Sequence, residues 1–110
     1  MATHHGRVPA TGERRWMVGW CEGTLTVEAD RLVVQGEPHA NGRARDPLVI
    51  GRADAAALIL RCGLFGAALQ RETRAGFRSP VARTEDARAL LDDLRQHGWP
   101  ARATGWRKPR

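Results

Sequence analysis

Alternating apolar and polar positions predict short β-strands along most of the chain. Arg15–Cys21 alternates with both of its tryptophans on one face, which is the pattern of a strand with an aromatic inner side. Thr24–Glu28 alternates again, and after Ala29-Asp30 the chain continues with the apolar segment Arg31–Gln35. We therefore expect a first turn at Glu22-Gly23 and a β-hairpin after it.

Four further segments have the composition of short strands: Leu48–Ile50, Leu58–Cys62, Ala67–Glu72 and Phe77–Ser79. Turn-forming residues separate them. Gly36–Asp46 is polar and predicts a long loop, while Gly63–Gly66 and Arg74–Gly76 predict tighter turns. Pro80 is expected to end the last strand, because proline has no N–H to give to a sheet.

Arg52–Leu60 allows two interpretations. Its alanines favour a helix that Asp54 could cap. The early glycines at 63 and 66 would end such a helix soon, and Leu58–Cys62 is apolar enough for a strand. We favour one helical turn near Asp54 followed by a strand to Cys62.

The segment Thr84–Pro100 has the features of one complete helix. Thr84 can cap its first N–H groups, and Glu85 and Asp86 place negative charge at the positive end of the helix dipole. Apolar residues recur at helical spacing, namely Ala87, Leu90, Leu91 and Leu94. Gly98 is expected in a left-handed cap, so the helix should stop there.

These elements predict a mainly β fold with one C-terminal α-helix, in which about seven antiparallel strands form a barrel or sheet covered by the helix. No helix of crossover length lies between the strands, which argues against a parallel sheet. The length of 110 residues allows one domain. We place it at 15–100, with Trp16, Trp20 and Phe77 in the core and Trp99 folded over its edge.

The distribution of charge separates the ends from the middle. Residues 1–15 hold three arginines against one glutamate, and 101–110 hold three arginines and one lysine without an acid. The eleven arginines of 16–100 are matched by eleven acidic residues, so the body lacks the broad positive field typical of nucleic-acid binding. We expect flexible tails at 1–14 and 101–110.

Candidate chemistry is sparse. The four histidines and two cysteines lack metal-ligand spacing, and the adjacent His4 and His5 belong to the expected tail. Cys21 and Cys62 are expected to be buried free thiols rather than a disulfide. The paired acids of the helix are explained by its cap and its polar face, and Gly63–Gly66 lacks the ending of a phosphate loop. We expect no cofactor and no metal.

The C-terminal tail carries the candidate contacts to an anion or a nucleic acid. They are Arg102, Trp106, Arg107, Lys108 and Arg110, where an aromatic ring among cations could stack on a base.

The order of elements resembles the pleckstrin-homology-like superfold, in particular the short bacterial PH-like and GRAM-like modules. The segments that carry the resemblance are Gly23–Val27 leading to Asp30–Val34, Leu48–Ile50 followed by Gly51–Asp54, Gly76-Phe77, and Thr84–Ala87. The resemblance covers about 16–98. It implies seven antiparallel strands in two nearly orthogonal sheets, with a helix over one open end.

One departure bears on function. Lipid-binding members of that family use a basic loop between the first two strands, and here that connection is the short, acidic Cys21–Gly23. Lipid binding is therefore not carried over. Arg43 and Arg45 are the nearest basic residues, but Glu37 and Asp46 flank them and favour a solvated loop.

We expect a non-enzymatic interaction or scaffolding module that binds a partner protein or peptide through a sheet edge or a groove beside it. The alternative is weak binding of nucleic acid or an anionic surface by the basic tail. No segment is long and apolar enough to span a bilayer, and the N-terminus lacks the apolar region of a secretory signal. A cytoplasmic location is expected. The sequence leaves the oligomeric state open.

Overall fold

The computed structural model describes residues 2–10, 19–64 and 66–105. In this part of the chain the protein is mainly β, with one α-helix, as the sequence predicts. The strands are β1 (Ala2–Ala10), β2 (Gly19–Val27), β3 (Arg31–Gly36), β4 (Leu48–Gly51), β5 (Ala57–Gly63), β6 (Gly66–Glu72), β7 (Arg78–Thr84) and β8 (Ala101–Gly105), and α1 spans Ala87–Gln96. A 3-10 turn at Arg52–Asp54 precedes β5, so the favoured interpretation of that segment is confirmed.

All eight described strands belong to one sheet, in the order β4-β3-β2-β1-β7-β6-β5-β8. β1–β4 form one antiparallel meander and β5–β7 form another, and the two meet at a single residue pair, Arg7 with Arg83. The sheet does not close into a barrel, because β4 and β8 stay at its ends. The expectation of antiparallel pairing throughout is also wrong, since β8 runs parallel to β5.

The first and last described strands lie where the sequence predicted flexible tails. β1 pairs with β2 along all of its residues, and Val8 is buried on the inner face. In β8, Ala101 and Ala103 pack against the core while Arg102 is exposed. Two small apolar side chains at alternate positions are therefore enough for this segment to join the sheet, although its positive charge led to the prediction of a flexible tail.

β2 is one strand where the sequence predicted two strands and a turn at Glu22-Gly23. Gly23 lies within the strand because the neighbouring strands β1 and β3 approach it so closely that only glycine fits. A Cβ here would lie 2.5 Å from both the Gln35 carbonyl oxygen and Val8 Cγ2. The connection between the first two strands is therefore 11–18, not Cys21–Gly23 as the sequence predicted. These residues, which include Trp16, lie outside the described part of the chain.

β7 continues through Pro80, which was expected to end it. The strand is bulged opposite Leu69 and Gln70: Leu69 pairs with Ala82 and Gln70 with Pro80, so Val81 is the extra residue. Bulges are places where a strand tolerates proline. Because of the bulge, both Val81 and Ala82 are buried.

The helix begins later than predicted. Thr84 is the last residue of β7, and Asp86 is the N-cap, whose carboxylate accepts a hydrogen bond from the Ala89 N–H. The predicted apolar stripe is buried as expected. At the other end, Gly98 has φ +78°, and the N–H groups of Gly98 and Trp99 donate to the carbonyls of Arg95 and Leu94. This is a Schellman motif, so the left-handed cap is confirmed.

The core lies between the inner face of the sheet and α1. Leu90 and Leu94 are buried there, and Trp99 covers the edge as predicted while its Nε1 donates to the Glu28 carbonyl at 2.7 Å. Two aromatic predictions are wrong. Phe77 is 74% exposed in the β6–β7 turn, and Trp20 is half-buried on the outer face because it lies opposite Pro9 rather than Val8.

No helix in the described part of the chain is long and apolar enough to cross a membrane.

Candidate functional site

Strand β4 forms one end of the sheet and has a free hydrogen-bonding edge. Its four residues pair with β3, from Leu48 opposite Val34 to Gly51 opposite Arg31, and no described strand lies on its other side. A free edge presents unpaired backbone N–H and C=O groups to any extended chain. Natural edges are commonly protected by charged side chains or proline, and Leu48–Gly51 contains neither. The Gly51 N–H at the end of the strand donates to Asp54 Oδ2 at 3.3 Å, so the open part of the edge is Leu48–Ile50.

The side chains of this edge are unusually exposed for apolar residues. Leu48 is 42% and Val49 is 48% exposed. The register places them on opposite faces: Leu48 lies beside the buried Val34 and Val49 beside the half-buried Val33, on the outer face. An added strand would therefore find an apolar neighbour on each face of the sheet.

A cleft opens beside Leu48 on the inner face of the sheet. Its volume is about 250 Å³. The apolar part of its lining is Val8, Pro9, Val34, Pro47 and Leu48. A cleft of this size and composition accepts one or two apolar side chains.

The loop between β3 and β4 borders this cleft and is held by side-chain hydrogen bonds. Gln35 Nε2 donates to the Arg45 carbonyl at 2.8 Å, and Arg45 Nε donates to the Glu37 carbonyl at 2.9 Å. Arg45 is therefore a structural residue of the loop, where the sequence suggested only a solvated charge. Arg43 is exposed, and its N–H donates to Asn41 Oδ1.

A second feature of the surface is a row of arginines on the outer face of the sheet. Arg7 of β1 lies opposite Arg83 of β7, Arg83 opposite Ala68 of β6, and Ala68 opposite Arg61 of β5. Arg102 of β8 lies opposite Ile59, two residues before Arg61, and so shares this face. We name Arg7, Arg83, Arg61 and Arg102 the arginine face.

Of the predicted contact residues, the structure thus places Arg102 on a strand and brings it together with three arginines that the sequence did not single out. The signal was available only in part: Arg61 is the one charged residue in the apolar run of β5, but the pairing of β1 with β7 is not visible from the sequence. Trp106, Arg107, Lys108 and Arg110 lie outside the described residues, and their predicted role stays a prediction.

A third feature is a buried carboxylate between two histidines. Asp93 of α1 is 9% exposed, its Oδ2 lies 2.8 Å from His4 Nε2, and its Oδ1 lies 3.0 Å from His97 Nδ1. The sequence suggested a solvated Asp93 and a His4 in a tail. Both interpretations are wrong, because β1 places His4 against the helix.

The remaining candidate groups are dispersed. Cys21 is half-buried and Cys62 buried, and both are free. Burial raises the pKa of the Cys62 thiol. In the described ranges, 2–10, 19–64 and 66–105, no three or more His, Cys, Asp or Glu side chains are grouped so that they could hold a metal ion.

Comparison with known proteins adds no assignment: no family model matches the chain, and no curated protein matches it.

Proposed function

We propose that the protein is a non-enzymatic, PH-like interaction module that binds an extended segment of a partner protein along β4. The observation that carries this proposal is the free edge of β4, with two exposed apolar side chains and an apolar cleft beside it. Binding would add one strand to the sheet through backbone hydrogen bonds, and side chains of the segment would supply specificity.

The PH-like part of the proposal is supported by the arrangement of the first seven strands and the helix. β1–β4 and β5–β7 are two antiparallel meanders that share one residue pair, and α1 follows β7 directly. The resemblance implies seven strands before a helix, and β1–β7 with α1 give that number. The match is partial, because β1 lies outside the 16–98 that the resemblance covers, the strands form one sheet rather than two, and β8 is an addition. A cytoplasmic setting belongs to the proposal, and two free cysteines accord with it.

The occupant of the edge is an extended segment with an apolar residue at alternate positions. Side chains alternate between the faces of a strand. A residue beside Leu48 would therefore face the cleft, and the next would lie beside Val49 on the outer face. An amphipathic helix would leave the backbone groups of β4 unpaired, so an extended chain fits better.

A phage-displayed library of random 12-residue peptides, selected against the immobilised full chain, tests this proposal. We expect enriched peptides that alternate apolar residues and that bind Val49→Lys at least tenfold more weakly, because a charge on an edge opposes strand addition. Phe77→Lys is the matched control, since it replaces a more exposed apolar side chain far from β4 in the sheet.

Three results would overturn the proposal. Selection could yield no enriched peptide, or the peptides could bind Val49→Lys as well as the wild type. Size-exclusion chromatography could also show a dimer that Val49→Lys dissociates, which would assign the edge to self-association.

A further inference from the structure

We propose that the arginine face binds the phosphate backbone of a single-stranded nucleic acid. This site is separate from the β4 edge, because it runs from β1 in the middle of the sheet to β8 at one end, whereas β4 lies at the other end. It also differs from binding by the C-terminal tail alone, because three of its four cations belong to β1, β7 and β5.

The geometry of the sheet sets the spacing of the four cations. Neighbouring strands are about 4.8 Å apart, so the five strands from β1 to β8 span on the order of 19 Å. Arg7, Arg83 and Arg61 lie in one cross-strand row, and Arg102 is displaced by two residues along the neighbouring strand. A row of this length follows several nucleotides of an extended strand, which is the way that binding grooves track a backbone.

Two acidic residues lie beside this row: Glu22 is opposite Arg7, and Glu85 lines a cleft with Arg7 and Arg83. Among the described residues, neither Arg61 nor Arg102 is in an ion pair, and the one between Arg7 and Glu22 is loose, at 3.9 Å, with side chains 66% and 70% exposed. Such an exposed pair contributes little. Directly opposed like charges such as Arg7 and Arg83 are unfavourable in a sheet, and a bound phosphate would relieve that repulsion.

The row also contains a cleft and an aromatic ring. The cleft, of about 360 Å³, is lined by Arg7, Arg83, Thr84 and Glu85. The Arg83 guanidinium lies 5.4 Å from the centre of the Trp20 ring. The guanidinium lies over the face of this ring, so the indole holds the Arg83 cation in place rather than standing open to a base. Guanidinium groups suit phosphate as bidentate donors, and the exposed plane of Arg83, backed by the indole, can stack on a base. An acidic peptide would use only the charge of this group, so a nucleic acid fits better.

Fluorescence anisotropy with a labelled 12-nucleotide oligo(dT), titrated with the full chain at several salt concentrations, tests the proposal. Each phosphate contact contributes about 0.7 to the slope of log K against log salt for a single strand. The double variant Arg61→Gln/Arg102→Gln should therefore lower the slope by about 1.4 and weaken binding at low salt at least tenfold. Arg74→Gln, an exposed arginine of the β6–β7 turn, should leave both unchanged.

Two further arms decide the assignment. Deletion of residues 106–110 should leave a salt-dependent binding that still responds to Arg61→Gln/Arg102→Gln, and circular dichroism should show that each variant keeps the fold. Absence of binding, an unchanged slope in the double variant, or loss of all binding on deletion would each overturn the proposal. So would equally tight binding of poly-glutamate through the same arginines, which would show recognition of an acidic protein.

Discussion

Asp93 on the helix lies 2.8 Å from His4 on the first strand, so β1 and α1, distant in sequence, are joined by one hydrogen bond. The side chains of His4 and Asp93 are only 15% and 11% exposed. Asp93 also approaches His97 Nδ1 at 3.0 Å, within the same helix. A carboxylate on the buried face of an amphipathic helix is stable only with partners of this kind, and β1 supplies one of them.

The first prediction concerns this contact. In a double-mutant cycle of His4→Ala and Asp93→Ala, we expect a coupling free energy of about 1.5 to 3 kcal/mol, because a shielded hydrogen bond to a charged group is stronger than an exposed one. The measurement is urea unfolding at neutral pH. The control is the exposed pair Arg88 and Asp92 on the same helix, 3.8 Å apart, which should couple by about 0.5 kcal/mol or less. Equal coupling in the two cycles would contradict the prediction.

The second prediction concerns the end of the helix. Gly98 has φ +78°, and a Cβ there would lie 3.3 Å from Arg52 Nη2. Gly98→Ala should therefore lower the free energy of unfolding by about 1 to 2 kcal/mol, the cost of a left-handed conformation for an L-residue. Gly63→Ala is the control, because its Cβ would be in ordinary contact, 3.8 Å from the Gly66 carbonyl oxygen. Chemical denaturation of both variants measures the difference, and equal losses would count against a strained cap.

Local patterns predicted the elements that are marked by apolar periodicity, by a short apolar run or by turn residues at their ends. The β2–β3 hairpin, β4, the turn at Arg52–Asp54, β5 and α1 all follow from periodicity and turn residues. The errors in β2 and β8 share a cause, because each element depends on a neighbour distant in sequence. Gly23 stays within a strand since other backbones pack against it, and β8 forms since β5 offers an edge for Ala101 and Ala103.

The candidate sites were harder to foresee than the fold. Leu48 and Val49 could be recognised as a strand, but only the strand order shows that this strand is at an end of the sheet. Arg102 could be recognised as a cation, but its companions on the arginine face come from three other strands. Asp93 has the sequence position of a solvated residue, and only the packing of β1 against the helix buries it.

The third prediction tests whether α1 covers the core. Leu94 is fully buried, so Leu94→Ala should cost about 2 to 5 kcal/mol through lost burial and a cavity. Gln96→Ala on the exposed side of the same helix should change the free energy of unfolding by less than about 0.5 kcal/mol. Thermal or urea unfolding gives both values. If Leu94→Ala lowered the free energy of unfolding by less than about 0.5 kcal/mol, the helix would not cover the core.

The fourth prediction concerns the two thiols. Burial raises the pKa of Cys62, and only the thiolate is a good nucleophile, so iodoacetamide at pH 8 should modify Cys21 first and Cys62 only after unfolding in guanidinium chloride. Because burial keeps the Cys62 thiol protonated in the folded state, this thiol does not lower the stability at any pH below the ordinary thiol pKa of about 8.5. As the pH rises above that value, the unfolded state gains a thiolate and the free energy of unfolding falls. Mass spectrometry of the alkylated chain identifies the order of modification. Cys62→Ala should keep the rapid labelling and remove the slow one, whereas equal native rates for both thiols would show that Cys62 is not shielded.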